Sequence, residues 1–176
     1  MKSFEVLSSI AIGNYGLITA QQARDVGITS LELRRWVKSG RLDKVGRAVY
    51  RLSLFPSSPN DEFAVAVEMV GEGAYLQGES VLALLRLTAT NPTWIHVATA
   101  RRCRKKIPNS LRFHVGEKGY EPTFYEGIRC QRVSDAILSC RGGLVRERLL
   151  EALRNGVQQG YVSAEESVCL EKELQA

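Results

Sequence analysis

The sequence predicts an α+β chain: three short helices and a hairpin in the first third, then a mixed second part. Three observations carry this prediction. Thr19 with Gln22 and Thr29 with Glu32 each form a capping-box pattern, in which an N-cap hydroxyl and a side chain three residues on satisfy two amide donors reciprocally. Two short runs rich in strand formers then bracket Gly46 and Arg47. Beyond the proline-bearing stretch "FPSSPN", helical and strand-like runs are interspersed.

Taken in order, Phe4, Leu7, Ile10 and Ala11 recur at three- and four-residue steps and predict a helix over 3–12, which Gly13, Asn14 and Gly16 end. Thr19 opens a helix over 20–26. Thr29 opens a third that stops at Gly40, and strands are expected over 41–45 and 48–52. The predicted organisation is a first domain over 1–55, a linker over 56–60 and an α+β domain over 61–176. In the second domain, helices are expected over 61–70 and 80–87, with a short apolar stretch "AYLQ" between them. The segments "TWIHVAT", "LRFHV" and "GIRCQRV" read as strands. Ser134 is read as the cap of a helix reaching Cys140, Gly142 and Gly143 as its break, and 144–155 as the next helix. Ser163 with Glu166 opens the last one.

Charge is distributed unevenly. The net charge is +5 over 176 residues, but residues 1–55 hold nine Lys or Arg against four Asp or Glu, leaving fifteen of each beyond. A cationic segment joined to a neutral one suggests a polyanion-binding module. The composition, 44% hydrophobic and 24% charged, argues against disorder. The first sixteen residues lack the pattern of a signal peptide, and no run has the length of a membrane span, so a reducing cytoplasm is the expected location. Cys103, Cys130, Cys140 and Cys169 include no CxxC pair, and His96 and His114 do not stand at ligand spacing with them. Free, mostly buried thiols and no metal are expected.

The spacing Ala23–Gly27–Leu33 suits two helices crossing steeply through a short turn: a small residue at the close approach, a residue tolerant of positive φ, and an apolar plug. Val26, Ile28, Trp36 and Val37 fit further core positions. On the third helix, Leu33, Trp36 and Val37 share one side, and the opposite side presents Leu31, Arg34, Arg35 and Lys38, with Ser30 at its start. Such a face suits the major groove of duplex DNA, where cations neutralise phosphates and an arginine reaches guanine edges. In the hairpin, Arg41, Lys44 and Arg47 are read as surrounding Gly46 and contacting phosphate or the minor groove. Leu42, Val45, Val49 and Leu52 turn inward. The whole is a winged helix-turn-helix.

"GLITAQQARDVGITSLELRRWVKSGRLDKVGRAVYRL" resembles the N-terminal domain of the AbiEi family, antitoxins of type IV toxin–antitoxin and abortive-infection systems. Gly16, Leu17, Ile18 and Thr19 match its start, Gly27 and Ile28 its turn, and Gly40, Arg41, Leu42, Arg47, Val49, Tyr50 and Leu52 its approach to the wing and the wing. Ala48 stands where the family usually has glycine, and Gly46 is expected to supply the flexibility instead. The second part is similar to the family's antitoxin domain in layout. The resemblance implies a repressor, with no catalytic role and no cofactor. It would bind operator inverted repeats in its own promoter as two copies on DNA, and counteract a nucleotidyltransferase-like toxin.

Arg101, Arg102, Arg104, Lys105 and Lys106 form a possible second contact, to nucleic acid or to a partner. Catalytic motifs are missing from the sequence. "GESVL" lacks the second glycine of a nucleophile elbow, and His96 and His114 sit in apolar strands where a structural, hydrogen-bonded role is expected. Two alternatives stand beside the main reading. One is a lone winged-helix transcription factor whose second domain senses a ligand or oligomerises; the other is an interaction module that docks its basic face on an acidic protein.

Overall fold

The computed structural model describes residues 2–101 and 106–175. The chain forms two compact units, Met1–Glu72 and Gly73–Ala176.

The first unit begins with α1 (Lys2–Ile12), followed by β1 (Leu17–Thr19), α2 (Ala20–Asp25), α3 (Ser30–Lys38), β2 (Leu42–Gly46), β3 (Val49–Leu52) and α4 (Asp61–Val70). Both predicted capping boxes are present, with Thr19 Oγ1 accepting from the Gln22 amide and Thr29 Oγ1 from the Glu32 amide. Leu7, Ala11, Ile18, Ala23, Ile28, Leu33 and Leu42 form the core, with Phe4, Trp36, Val37, Tyr50 and Leu52 packed at its margin. The helix-turn-helix corner follows the expected chemistry: Ala23 is fully buried, Gly27 takes φ +79°, and Leu33 is buried. Val26 departs from expectation. It is the C-cap of α2 and stands 42% exposed, because the chain turns outward there before Gly27 returns it to Ile28.

β1 was not expected. It pairs antiparallel with β3, Leu17 opposite Arg51 and Thr19 opposite Val49, so the wing is a three-stranded sheet in the order β1-β3-β2. A bulge between Lys44 and Gly46 shifts the β2–β3 register. Val45, expected inside, is 37% exposed at this bulge. The hairpin turn also corrects the sequence reading. Ala48 itself takes φ +60°, whereas Gly46 does not have positive φ and instead makes room for α4. A Cβ on Gly46 would lie 2.5 Å from Met69 Sδ.

The sequence placed residues 61–70 in the second domain and 56–60 in a linker, but α4 belongs to the first compact unit. Two contacts attach it to the wing. Met69 fills the space beside Gly46, and Arg51 Nη1 on β3 bonds Asp61 Oδ2 at 2.7 Å. Arg51 Nη2 also donates to the Pro56 carbonyl at 2.7 Å, which ties down the proline-bearing stretch.

The second unit holds β4 (Tyr75–Leu76), α5 (Glu79–Leu84), β5 (Ile95–Thr99), β6 (Leu111–Val115), β7 (Thr123–Tyr125), β8 (Ile128–Cys130), α6 (Val133–Ser139), α7 (Arg146–Gln158) and α8 (Ala164–Gln175). Its five-stranded sheet runs β6-β5-β4-β8-β7. The β5–β6 and β4–β8 pairs are parallel, while β4–β5 and β7–β8 are antiparallel. Leu76, Val97, Val133, Ala136, Ile137, Ala152 and Leu153 are buried in its core. Ser134 is not the cap expected of it: Arg132 is the N-cap of α6, and Ser134 is buried in the helix's first turn. Cys130 and Cys140 are free and buried, and burial pushes both thiols up to about 12; Cys169 is free and exposed. Among the described residues, no helix is long and apolar enough to cross a membrane.

Candidate nucleic-acid interface

Helix α3 starts where Thr29 caps it, and Leu33 buried on one side fixes which residues point out. Ser30, Leu31, Arg34, Arg35 and Lys38 are all exposed, and the last four stand at the i, i+3, i+4, i+7 spacing of one helical face. Arg34 Nε donates to the Ser30 carbonyl at 3.3 Å, so its side chain lies back along the helix start. The anion in this helix is turned to another task. Glu32 Oε2 accepts from the Thr29 amide and hydroxyl, both at 2.8 Å, and Oε1 accepts from Ser3 Oγ at 3.4 Å. The bond from the Thr29 amide, foremost among these, holds the Glu32 carboxyl below its ordinary value. Glu32 is thus held ionised at the start of the helix, and the exposed face beside it carries three cations, Arg34, Arg35 and Lys38.

The wing divides the three cations assigned to it. Lys44 is exposed opposite Tyr50, and Arg47 is exposed in the turn between β2 and β3. Arg41 is also exposed but lies at the base of the wing and not around Gly46. Its amide donates to the Trp36 carbonyl at 2.9 Å, and its guanidinium carbon is 3.6 Å from the centre of the Phe4 ring. Phe4 meets Trp36 edge-on at 5.0 Å, so Arg41, Phe4 and Trp36 form a chain of contacts from the wing to α3. The sequence reading found Arg41 but missed Phe4 as its shelf, since nothing in local spacing brings residue 4 to residue 41.

In the second unit, Arg101 and Lys106 are exposed, while Arg102, Arg104 and Lys105 lie outside the described residues. His96 Nδ1 and His114 Nε2 are 2.8 Å apart, with the rings stacked at 5.1 Å. Burial moves both below the ordinary histidine value, and for His96 the neighbouring His114 adds to the effect. Ser80, the serine of "GESVL", is buried and accepts from the His96 amide at 2.8 Å. Among the described residues, no group of three or more His, Cys, Asp or Glu has the arrangement of a metal site.

Three helices, a glycine corner and a charged β-wing define a winged helix-turn-helix, the class of protein that presents one helix to duplex DNA. Residues 5–53 match the family model described as "Transcriptional regulator, AbiEi antitoxin". The match covers that N-terminal stretch, which is where the chain is similar to the family. No curated protein matches the chain.

Proposed function

We propose that this protein is a transcriptional autorepressor and antitoxin that binds inverted repeats in its own promoter as two copies and counteracts a nucleotidyltransferase-like toxin in the cytoplasm. The carrying observation is the exposed face of α3, where Arg34, Arg35 and Lys38 stand together while Glu32 is engaged by its cap. In this reading Arg34 and Arg35 meet base edges, with Ser30 and Leu31 at the entry point. Lys38, Lys44 and Arg47 hold phosphate, and Arg41 supports the wing base through Phe4 while presenting its edge to the backbone. The protein acts by binding, without catalysis or cofactor. A single recognition helix reads only a short half-site, hence two copies on a repeat.

The test has two parts. In a gel-shift assay, the upstream promoter fragment should be retained against excess random duplex. In co-expression, this chain should rescue growth from the toxicity of an adjoining nucleotidyltransferase-like gene. Retention of random and promoter DNA alike would refute the repressor; selective retention without rescue would refute the antitoxin. A second reading, a winged-helix regulator whose second unit binds a ligand, is favoured by one observation. That unit holds a cavity of about 140 Å³ lined by Gln77, Glu79, His96, His114, Ser139 and Cys140.

A further inference from the structure

The cavity in the second unit is lined by hydrogen-bond acceptors that have nothing to accept from. Gln77 lines it, and Gln77 Oε1 is buried without a hydrogen-bond partner. Such an oxygen has given up water and gained no bond in exchange. Glu79 lines the same cavity. Thr90 Oγ1 donates to its Oε1, and among the described residues Oε2 has no donor. The two histidines add one acceptor more. His96 Nδ1 and His114 Nε2 share a proton across 2.8 Å, and burial favours the neutral form of both rings. Two neutral rings hold two N–H groups, one of which lies in that bond. The outer nitrogens, His96 Nε2 and His114 Nδ1, therefore carry one proton and one lone pair between them.

Charge points the same way. Among the described residues, no Lys or Arg lines this cavity, and Glu79 brings its one carboxylate. Burial, together with the charge on Glu79, leaves Cys140 a neutral thiol. Arg112 acts on His96 but lies over the Trp94 ring, its guanidinium carbon 4.0 Å from the ring centre. An anion in the cavity would meet Glu79 with no cation in the lining to offset it. A wholly apolar molecule would leave Gln77 Oε1 unbonded.

We propose that this cavity binds a small primary ammonium ion, whose three N–H donors are taken by Glu79 Oε2, Gln77 Oε1 and the free imidazole lone pair. The proposal rests on the ligand-binding reading of the second unit and names the chemistry of that ligand. Size sets the rest of the molecule. A cavity of about 140 Å³ has room for roughly five non-hydrogen groups, at the ~30 Å³ that each water takes in the liquid. The ammonium group therefore carries a short alkyl chain, for which Leu144 in the lining is an apolar neighbour.

Histidine NMR reads this site directly, because the chain has two histidines and both line the cavity. The full-length protein is titrated with n-butylamine at about pH 7.5, where an alkylamine is charged. Titrations with n-butanol and butyrate, neutral and anionic molecules of similar length, run in parallel at constant ionic strength. Both imidazole signals should shift saturably with butylamine, at an affinity about tenfold or more above that for either control. Glu79→Gln, with circular dichroism to confirm folding, should remove that preference. The comparison of head groups on the unaltered protein decides the matter even where the variant fails to fold. Equal or tighter binding of butanol or butyrate, no response to butylamine, or a preference that survives Glu79→Gln would each overturn the proposal. Binding of butanol or butyrate would leave the ligand-sensing reading standing with a different ligand. That reading is scored apart by gel shift: it fails if saturating butylamine leaves promoter retention unchanged, while the site itself stands.

Discussion

Ala48 holds φ at +60° in the wing turn, a conformation that costs an L-residue with a Cβ about 1–2 kcal/mol. Ala48→Gly should therefore stabilise the first unit by about 0.5–1 kcal/mol, after the glycine's greater loss of backbone freedom is subtracted. Urea unfolding checks this, and an unchanged or lower midpoint would contradict the assigned strain. Gly46 has the opposite sensitivity, since any Cβ there displaces Met69. Glu32 offers a cleaner separation of stability from binding. Glu32→Gln should keep the α3 capping box, because Gln22 serves in that role for α2. It should cost little stability, as one carboxylate is lost from the helix start. Operator affinity should rise, since one anion leaves the region facing phosphate; a fall in affinity would mean that Glu32 itself orders the interface.

The wing is held as an element by a half-buried ion pair that the sequence did not announce. Arg51 and Asp61 have side chains only 14% and 19% exposed, and their bond joins β3 to the start of α4. Arg51→Met should cost about 1–3 kcal/mol, because Asp61 keeps the Ser58 amide but loses its cation. Arg51→Met combined with Asp61→Asn should recover part of that loss in a double-mutant cycle, and strict additivity would deny the coupling. This pair also explains why the domain boundary was misplaced: prolines mark a change of direction, but whether the next helix packs back depends on contacts from residues 46 and 51. Local signals served better where the chemistry is local. Both capping boxes and the Ala23–Gly27–Leu33 corner were legible because each is complete within a few residues. β1 and β7 were not, since each exists as a strand through its partner, β3 or β8. The cationic face of α3 was readable from helical spacing, whereas the stacks of Arg41 on Phe4 and Arg112 on Trp94 required the fold.

For the molecule as a whole, titration separates the two units. The first has nine Lys or Arg against eight Asp or Glu and the second fifteen against eleven, and the second carries the imidazole pair. Desolvation lowers both His96 and His114, so the folded second unit resists protonation that the unfolded chain accepts below about pH 6.5. Its stability should be constant above that value and fall as acid is added, until the folded pair itself titrates. Unfolding followed by tryptophan emission in a Trp36→Phe background, which leaves Trp94 as the reporter, measures this at a series of pH values, and His96→Asn should flatten the dependence. Stability that rises on acidification would reverse the assigned sign.

The central claim is that α3 reads bases while the wing holds phosphate. It is tested most directly by measuring affinity for promoter and random duplex across a range of salt concentrations with Arg34→Ala and Lys44→Ala. Arg34→Ala should lose about 1–3 kcal/mol on the promoter and less on random DNA, lowering selectivity. Lys44→Ala should weaken both alike and reduce the salt slope by about one. If both variants weaken promoter and random duplex equally, or if neither weakens binding, the division of labour between helix and wing is wrong.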